Sequence, residues 1–274
     1  MAARLRILDK NLVRSATITA SSQVGNMLAS NLKKPNKSSV WRGSTKVETL
    51  TLRWATPVTL SCLVLAFCNL SPTGTVRVRG TNDTTQATFD TTAKIACVAP
   101  GVTPDGMTDA EGTAAYAYGG GNTAISWFTP ISVHVITIDI VDNSNLQGYI
   151  EVAMLMVGAY WSPARNPSWG AGLTRVDRSK NQVMESGTLK SNRGTRSKKL
   201  SLNLNNMEEG DRAYMDDMLA RVGTTGVILA CLFPESADPK IEQAHTVVGK
   251  VSALSAMTMP YWNASNAPLE IEQV

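Results

Sequence analysis

The stretch Gln147-Gly148-Tyr149-Ile150-Glu151-Val152-Ala153-Met154-Leu155-Met156-Val157-Gly158-Ala159-Tyr160-Trp161-Ser162-Pro163 divides the chain. It opens with strand alternation, Ile150, Val152 and Met154 on one parity against Glu151 and Ala153 on the other. From Met154 onward both parities are apolar, the pattern of a strand covered on both faces. Pro163, Asn166-Pro167 and Gly170-Ala171-Gly172 then interrupt regular structure. Before this stretch the patterning is all-β. After it a helix pattern occurs for the first time. The expected boundary therefore separates a first domain, 1–160 with an N-terminal arm, from a second, 161–274.

A chain of 274 residues that is 43% hydrophobic can bury a core in each of two domains. Met1–Lys10 carries Arg4, Arg6 and Lys10 without an apolar run, so no secretory signal is expected. The longest apolar run, about Leu60–Phe67, falls far short of the ~20 residues of a membrane span, and no membrane insertion is expected. Cys62, Cys68, Cys97 and Cys231 lack zinc-site spacing and read as reduced, buried thiols of a protein made in a cytoplasm.

Charge is distributed in opposed blocks. Met1–Arg53 carries +8, Trp54–Ala164 −5, Arg165–Lys199 +7 and Leu200–Val274 −6, for a net of +4. Nucleic-acid binders keep a surplus that survives summation, with aromatic platforms. Here the blocks cancel and aromatics are only 6%, so nucleic-acid binding is not expected. Contact between copies of the chain suits the pattern better.

In the first domain Val47–Trp54 alternates as a half-buried strand, Thr59–Phe67 reads as a central strand, and Thr75–Arg79 places Arg77 and Arg79 on one face. Asn26–Leu32 suits a turn or one helical turn. Thr81–Ser126 is a long polar insert, a functional loop or a pair of short hairpins. Thr19-Ala20-Ser21-Ser22, Asn31-Leu32, Val40-Trp41-Arg42, Val76–Asp83, Val135–Ile140 and Gly148–Val152 follow one another in an order that resembles the discoidin, or galactose-binding-like, family. The resemblance covers about Ala16–Ala159 and implies a jelly-roll β-sandwich. It carries over no sugar-binding residue.

In the second domain, Gly187–Asn205 reads as a long basic hairpin or strand. Asn206 is the expected N-cap of a helix over Met207–Val222, with Glu209 at the capping-box position and Gly223 as the stop. Tyr214, Met215, Met218, Leu219 and Val222 share its apolar face. Val227–Phe233 reads as a buried strand, Thr246–Met259 as one or two strands, and Leu269–Val274 as a final edge strand. The linker Gly158–Pro163, the basic Arg193–Leu200, the single helix and Val227–Pro234 resemble tail-tip proteins of tailed bacteriophages, including distal tail and baseplate components. The resemblance implies a tube-like β-sandwich with one packed helix that builds a ring around a tail channel, in the reverse domain order of distal tail proteins.

No catalytic constellation is present. His134 and His245 have no carboxylate or nucleophile at an informative spacing, and Gly-x-Ser-x-Gly, P-loop and His-Glu-x-x-His motifs are absent. Asp105, Asp109 and Glu111 gather oxygens of the kind calcium favours, but their spacing misses the EF-hand pattern. A solvated loop is expected there, with no metal and no cofactor. Trp41, Trp54 and Trp127 read as core, and Trp161 and Trp169 as packing at the domain interface.

The leading expectation is a non-enzymatic virion protein: a tail-tip or baseplate subunit with an appended lectin-like module. Its partners would be copies of itself in a trimeric or hexameric ring, neighbouring tail proteins and a host-surface glycan. The alternative is a carbohydrate-binding adhesin that is no assembly component. The ring contact is expected between the basic Arg193, Arg196, Lys198 and Lys199 and the acidic Asp216 and Asp217 of a neighbour.

Overall fold

The computed structural model describes residues 4–95, 122–167, 170–192, 194–254, 256–261 and 264–274. The strands are β1 (Arg6–Leu8), β2 (Thr17–Ala20), β3 (Trp41–Arg42), β4 (Val47–Cys68), β5 (Thr75–Thr81), β6 (Thr88–Asp90), β7 (Lys94–Ile95), β8 (Asn122–Val141) and β9 (Glu151–Gly158). There follow β10 (Gly172–Asp177), β11 (Lys180–Val183), β12 (Leu189–Asn192), β13 (Arg196–Met207), helix α1 (Glu209–Val222) and β14 (Val227–Cys231). Helix α2 (Pro239–Ala244), β15 (Thr246–Val251), β16 (Thr258–Tyr261) and β17 (Ala264–Gln273) complete the described elements.

The first unit is an eight-stranded antiparallel sheet in the order β3-β9-β4-β8-β5-β6, with β2 beside β4 and β7 beside β5. It folds over on itself because β4 and β8 are long enough to serve both halves. The segments expected as two strands, Val47–Trp54 and Thr59–Phe67, are one strand, β4, whose register against β8 shifts between Arg53 and Val58. Pro57 lies in that interval and has no N–H to give the ladder, so the strand turns its corner there. The core between the halves holds Trp41, Leu50, Leu52, Trp54, Ile136, Ile138, Val152 and Leu155. A helical turn at Ala29–Lys33 answers the turn expected near Asn26–Leu32.

The second unit is a seven-stranded antiparallel sheet in the order β1-β14-β15-β17-β13-β10, with β16 beside β17. One face carries α1 on Leu200, Leu202, Leu204, Ile228, Val247, Leu269 and Ile271. Three sequence expectations change here. The N-terminal arm, grouped by sequence with the first unit, gives β1 to the second unit's sheet, where Arg6–Leu8 pairs with Leu229–Cys231. The final strand is interior rather than an edge, because β17 pairs with both β13 and β15; its Glu270 and Glu272 face away from the α1 side without marking a sheet edge. Helix α1 begins at Glu209 behind an N-cap at Glu208, with no side-chain cap, while Asn206 adopts a positive φ of 55°. The reason is that β13 runs on to Met207, which is buried and pairs with Ser265 across a bulge. Asn206 turns that bulge, a left-handed position that Asn tolerates. Gly223 ends the helix as expected, at φ 55°.

The two units share a third core. Val64, Ala66 and Phe67 of β4 and Ala153, Met154 and Met156 of β9 meet Leu8, Leu229, Cys231 and Val248 of the second sheet. This is why β9 is buried at every residue. From Met154 onward its sides alternate, Leu155 and Val157 filling the first core and Met154 and Met156 the seam, while Val152 faces the first core and Ala153 the seam. Burial pushes the Cys231 thiol up to about 12 and holds Cys62 well above its ordinary value, as expected of a seam closed to water.

Candidate functional site

The least buried ordered element is the hairpin β11–β12. Lys180–Val183 pairs with Leu189–Asn192 in antiparallel register, and Gly187 turns the loop at φ 78°. Every residue from Lys180 to Asn192 is exposed, including the apolar Val183, Met184 and Leu189. A two-stranded hairpin in water is marginally stable at best and normally needs a surface to lie on. This one finds no such surface among the described residues of its own chain. It stands on the end of β10, where Asp177 accepts from Ser179 and Arg196 and is held down at about 2 by those hydrogen bonds.

Of the residues expected at a ring contact, Arg196, Lys198 and Lys199 lie on β13 beside β10 and Asp216 and Asp217 lie on α1, and most have partners within the chain. Arg196 Nε donates to Asp177 at 3.0 Å. Lys199 Nζ pairs with Glu270 at 2.9 Å. Lys198 lies on the α1 side of β13 and donates to the carbonyls of Gln243, Ala244 and Thr246 at 2.8, 3.2 and 3.4 Å, closing the C-terminal end of α2. Burial, then the neighbouring Arg175, lower its ammonium to about 8. Asp217 is bound by Arg221 one turn on along α1, and Asp216 is exposed on the same helix. The structure therefore gives Arg196, Lys198, Lys199 and Asp217 partners inside one subunit. Arg193, and the weak calcium candidates Asp105, Asp109 and Glu111, lie outside the described residues, as do Cys97 and Trp169.

A second feature is a groove of about 420 Å³ on the outer face of the first unit, lined by Arg79, Thr81, Thr88, Phe89, Asp90 and Thr137. Its charges are fixed in forks. Arg77 binds Asp90 through both guanidinium branches, and Arg79 binds Asp139 at 2.8 and 2.9 Å. The Arg77 hydrogen bond is the main reason the Asp90 carboxyl falls to about 2. The alternation of Thr75–Arg79 announces the arginines. Their acids lie on strands whose register the sequence does not display.

Both histidines have structural partners. His134 Nδ1 accepts from the Asp83 amide at 3.1 Å, and His245 contacts the Ile241 carbonyl and the edge of Phe233. Trp41, Trp54 and Trp127 are buried, and Trp161 stacks on Tyr214 at 4.9 Å. Among the described residues no group of three or more His, Cys, Asp or Glu is placed to hold a metal, and no helix is long and apolar enough to cross a membrane.

The solved structures similar to this chain include carbohydrate-binding modules. A family 32 module from Clostridium perfringens NanJ, in complex with galactose, aligns at 13% identity over 57% of this chain and 99% of that one, with a TM-score of 0.40. A second Clostridium perfringens module, in complex with GalNAc-beta-1,3-galactose, aligns at 11% identity over 55% of this chain and 100% of that one, TM-score 0.38. A chitosan-binding module from Paenibacillus sp. IK-5 gives 14% identity over 55% and 99%, TM-score 0.37. Likeness at this level says nothing about ligand. No family model and no curated protein matches the chain.

Proposed function

We propose that this protein is a structural subunit of a tailed-phage tail tip or baseplate, in which the second unit closes a ring and the first is a lectin-like module held on it. The observation that carries the reading is the hairpin β11–β12, ordered yet exposed along its whole length with Val183, Met184 and Leu189 at its end. A second copy of the chain is its occupant. The hairpin offers Lys180 and Lys190 beside its apolar groups, and the exposed side of α1 offers Glu209 and Asp216. Repeated head to tail, such a contact closes into a ring when the rotation between neighbours divides a full turn. The welded seam supports the same reading, since a module fixed through a buried apolar core keeps its orientation on every subunit.

The experiment is to label the protein on purified particles with an antibody and to image them. Signal at the tail tip, repeated about the tail axis, is the expected result. Particles without it would overturn the reading.

A second reading, a carbohydrate-binding adhesin, is favoured by the groove over β5, β6 and β8. Its fixed arginine–carboxylate forks and threonine hydroxyls suit the alternating donors and acceptors of a sugar. Glycan binding lost on Arg79→Ala, by a monomeric protein, would support it over the first.

A further inference from the structure

We infer that the seam between the two units holds an oxyanion site, for a phosphate or a carboxylate, at a place separate from both the hairpin and the β5–β6–β8 groove. A cavity of about 240 Å³ opens where the arm, the loop at Lys33–Pro35, strand β9 and the end of α1 come together. Its walls carry Lys10, Arg14, Lys33 and Arg221, and Met154 and Val222 contribute apolar surface.

The charges around it do not balance. Among the described residues the one acid lining the cavity, Asp9, has a fully buried side chain that is bound by Arg221 and by the Tyr214 hydroxyl at 2.8 Å. Burial and that carboxylate push the Tyr214 phenol well above its ordinary value, so it stays a neutral donor. Arg221 is further bound by Asp217. Lys33 donates to the Ala16 carbonyl at 2.6 Å, which fixes its ammonium without neutralising it. Lys10 and Arg14 are exposed and form no ion pair with any described residue. Three cations thus border one concavity with no carboxylate left over for them.

The framework is built before any ligand arrives. Asn11 donates to the Leu155 carbonyl and accepts from the Val13 and Val157 amides, tying the arm to β9. At Gly158 a Cβ would overlap the Lys10 carbonyl oxygen, so this glycine lets the arm lie flat against β9. An anion bound in a preorganised cationic site loses less to ordering than one that must gather its own partners. The apolar surface favours an anion carried on an organic body, and the shared chemistry is the oxyanion itself.

The test uses the full chain and isothermal titration at low salt with inorganic phosphate and, separately, D-glucuronate, with D-glucose as the neutral comparison. Binding of one equivalent of either anion, and none of glucose, is expected. The anion that binds more tightly identifies the group. The exposed pair Lys10→Gln/Arg14→Gln should weaken binding at least about tenfold, since charge-assisted contacts carry it, while its thermal midpoint without ligand stays that of the parent. Absence of binding by both anions would overturn the site. So would binding that the double variant leaves unchanged.

Discussion

At the scale of single residues, the structure assigns charges that the sequence only counts. Lys198, expected to reach a neighbouring subunit, closes α2 within its own chain, and its ammonium is lowered to about 8 from 10.5 by burial and then by Arg175. Between those two values the unfolded chain holds a proton that the folded chain has released. Stability therefore rises as pH increases from about 8 toward 10.5. Urea unfolding at pH 8 and pH 10 should show that increment, and Lys198→Met should reduce it without altering the mass in solution; Lys37, lowered to about 8 by burial and then by Arg178, contributes the remainder in the same window. A change in oligomeric state instead would return Lys198 to the interface. Met154, buried in the seam, gives a second test. Met154→Ala should cost about 2–5 kcal/mol, and a change of under half a kilocalorie by chemical denaturation would show that the seam is loosely packed.

At the scale of elements, the N-terminal strand is a clasp. β1 sends Ile7 into the helix-covered core and Leu8 into the seam. Arg6 lies over Trp127 and Tyr160, at 4.9 and 4.5 Å from their ring centres, and pairs with Glu235 at 2.6 Å. A chain lacking residues 1–8 should expose the linker between β9 and β10 to protease and lower the thermal midpoint. Cleavage no faster than in the parent would contradict the clasp. Much of this level was legible in the sequence. Two-sided burial of β9 followed from both parities being apolar after Met154, and the stop at Gly223 followed from glycine past an apolar stripe. The destination of β1 was not legible, because three residues carry no pairing information and their partner lies more than 200 positions away. The helix start is not legible in the sequence because Asn206 and Glu209 satisfy a local capping pattern. Burial of Met207 in the sheet outweighs that pattern. Neither the groove nor the seam cavity was legible, since each depends on register between distant strands.

At the scale of the whole molecule, the described residues form stacked layers: the two halves of the first sheet, the second sheet, and α1. The seam between the units is built from the same apolar side chains as any core, so the hairpin β11–β12 is the element that extends from this stack unsupported. Two pairs, Lys199–Glu270 and Arg178–Glu272, join the basic block to the acidic one inside the chain, and Arg196–Asp177 is satisfied within the basic block itself. Exposed pairs of this kind contribute only ~0–1 kcal/mol each. The proposed assembly therefore rests on the hairpin and its apolar end, with charge in a steering role. The most direct measurement is the mass in solution, by light scattering coupled to size exclusion, of the intact chain and of a chain in which residues 180–192 are replaced by a short turn. The intact chain should be a closed trimer or hexamer, and the shortened chain a monomer with the parent's thermal midpoint. An intact chain that stays monomeric at every concentration, or a shortened chain that keeps the parent's mass per assembly, would contradict assembly through the hairpin.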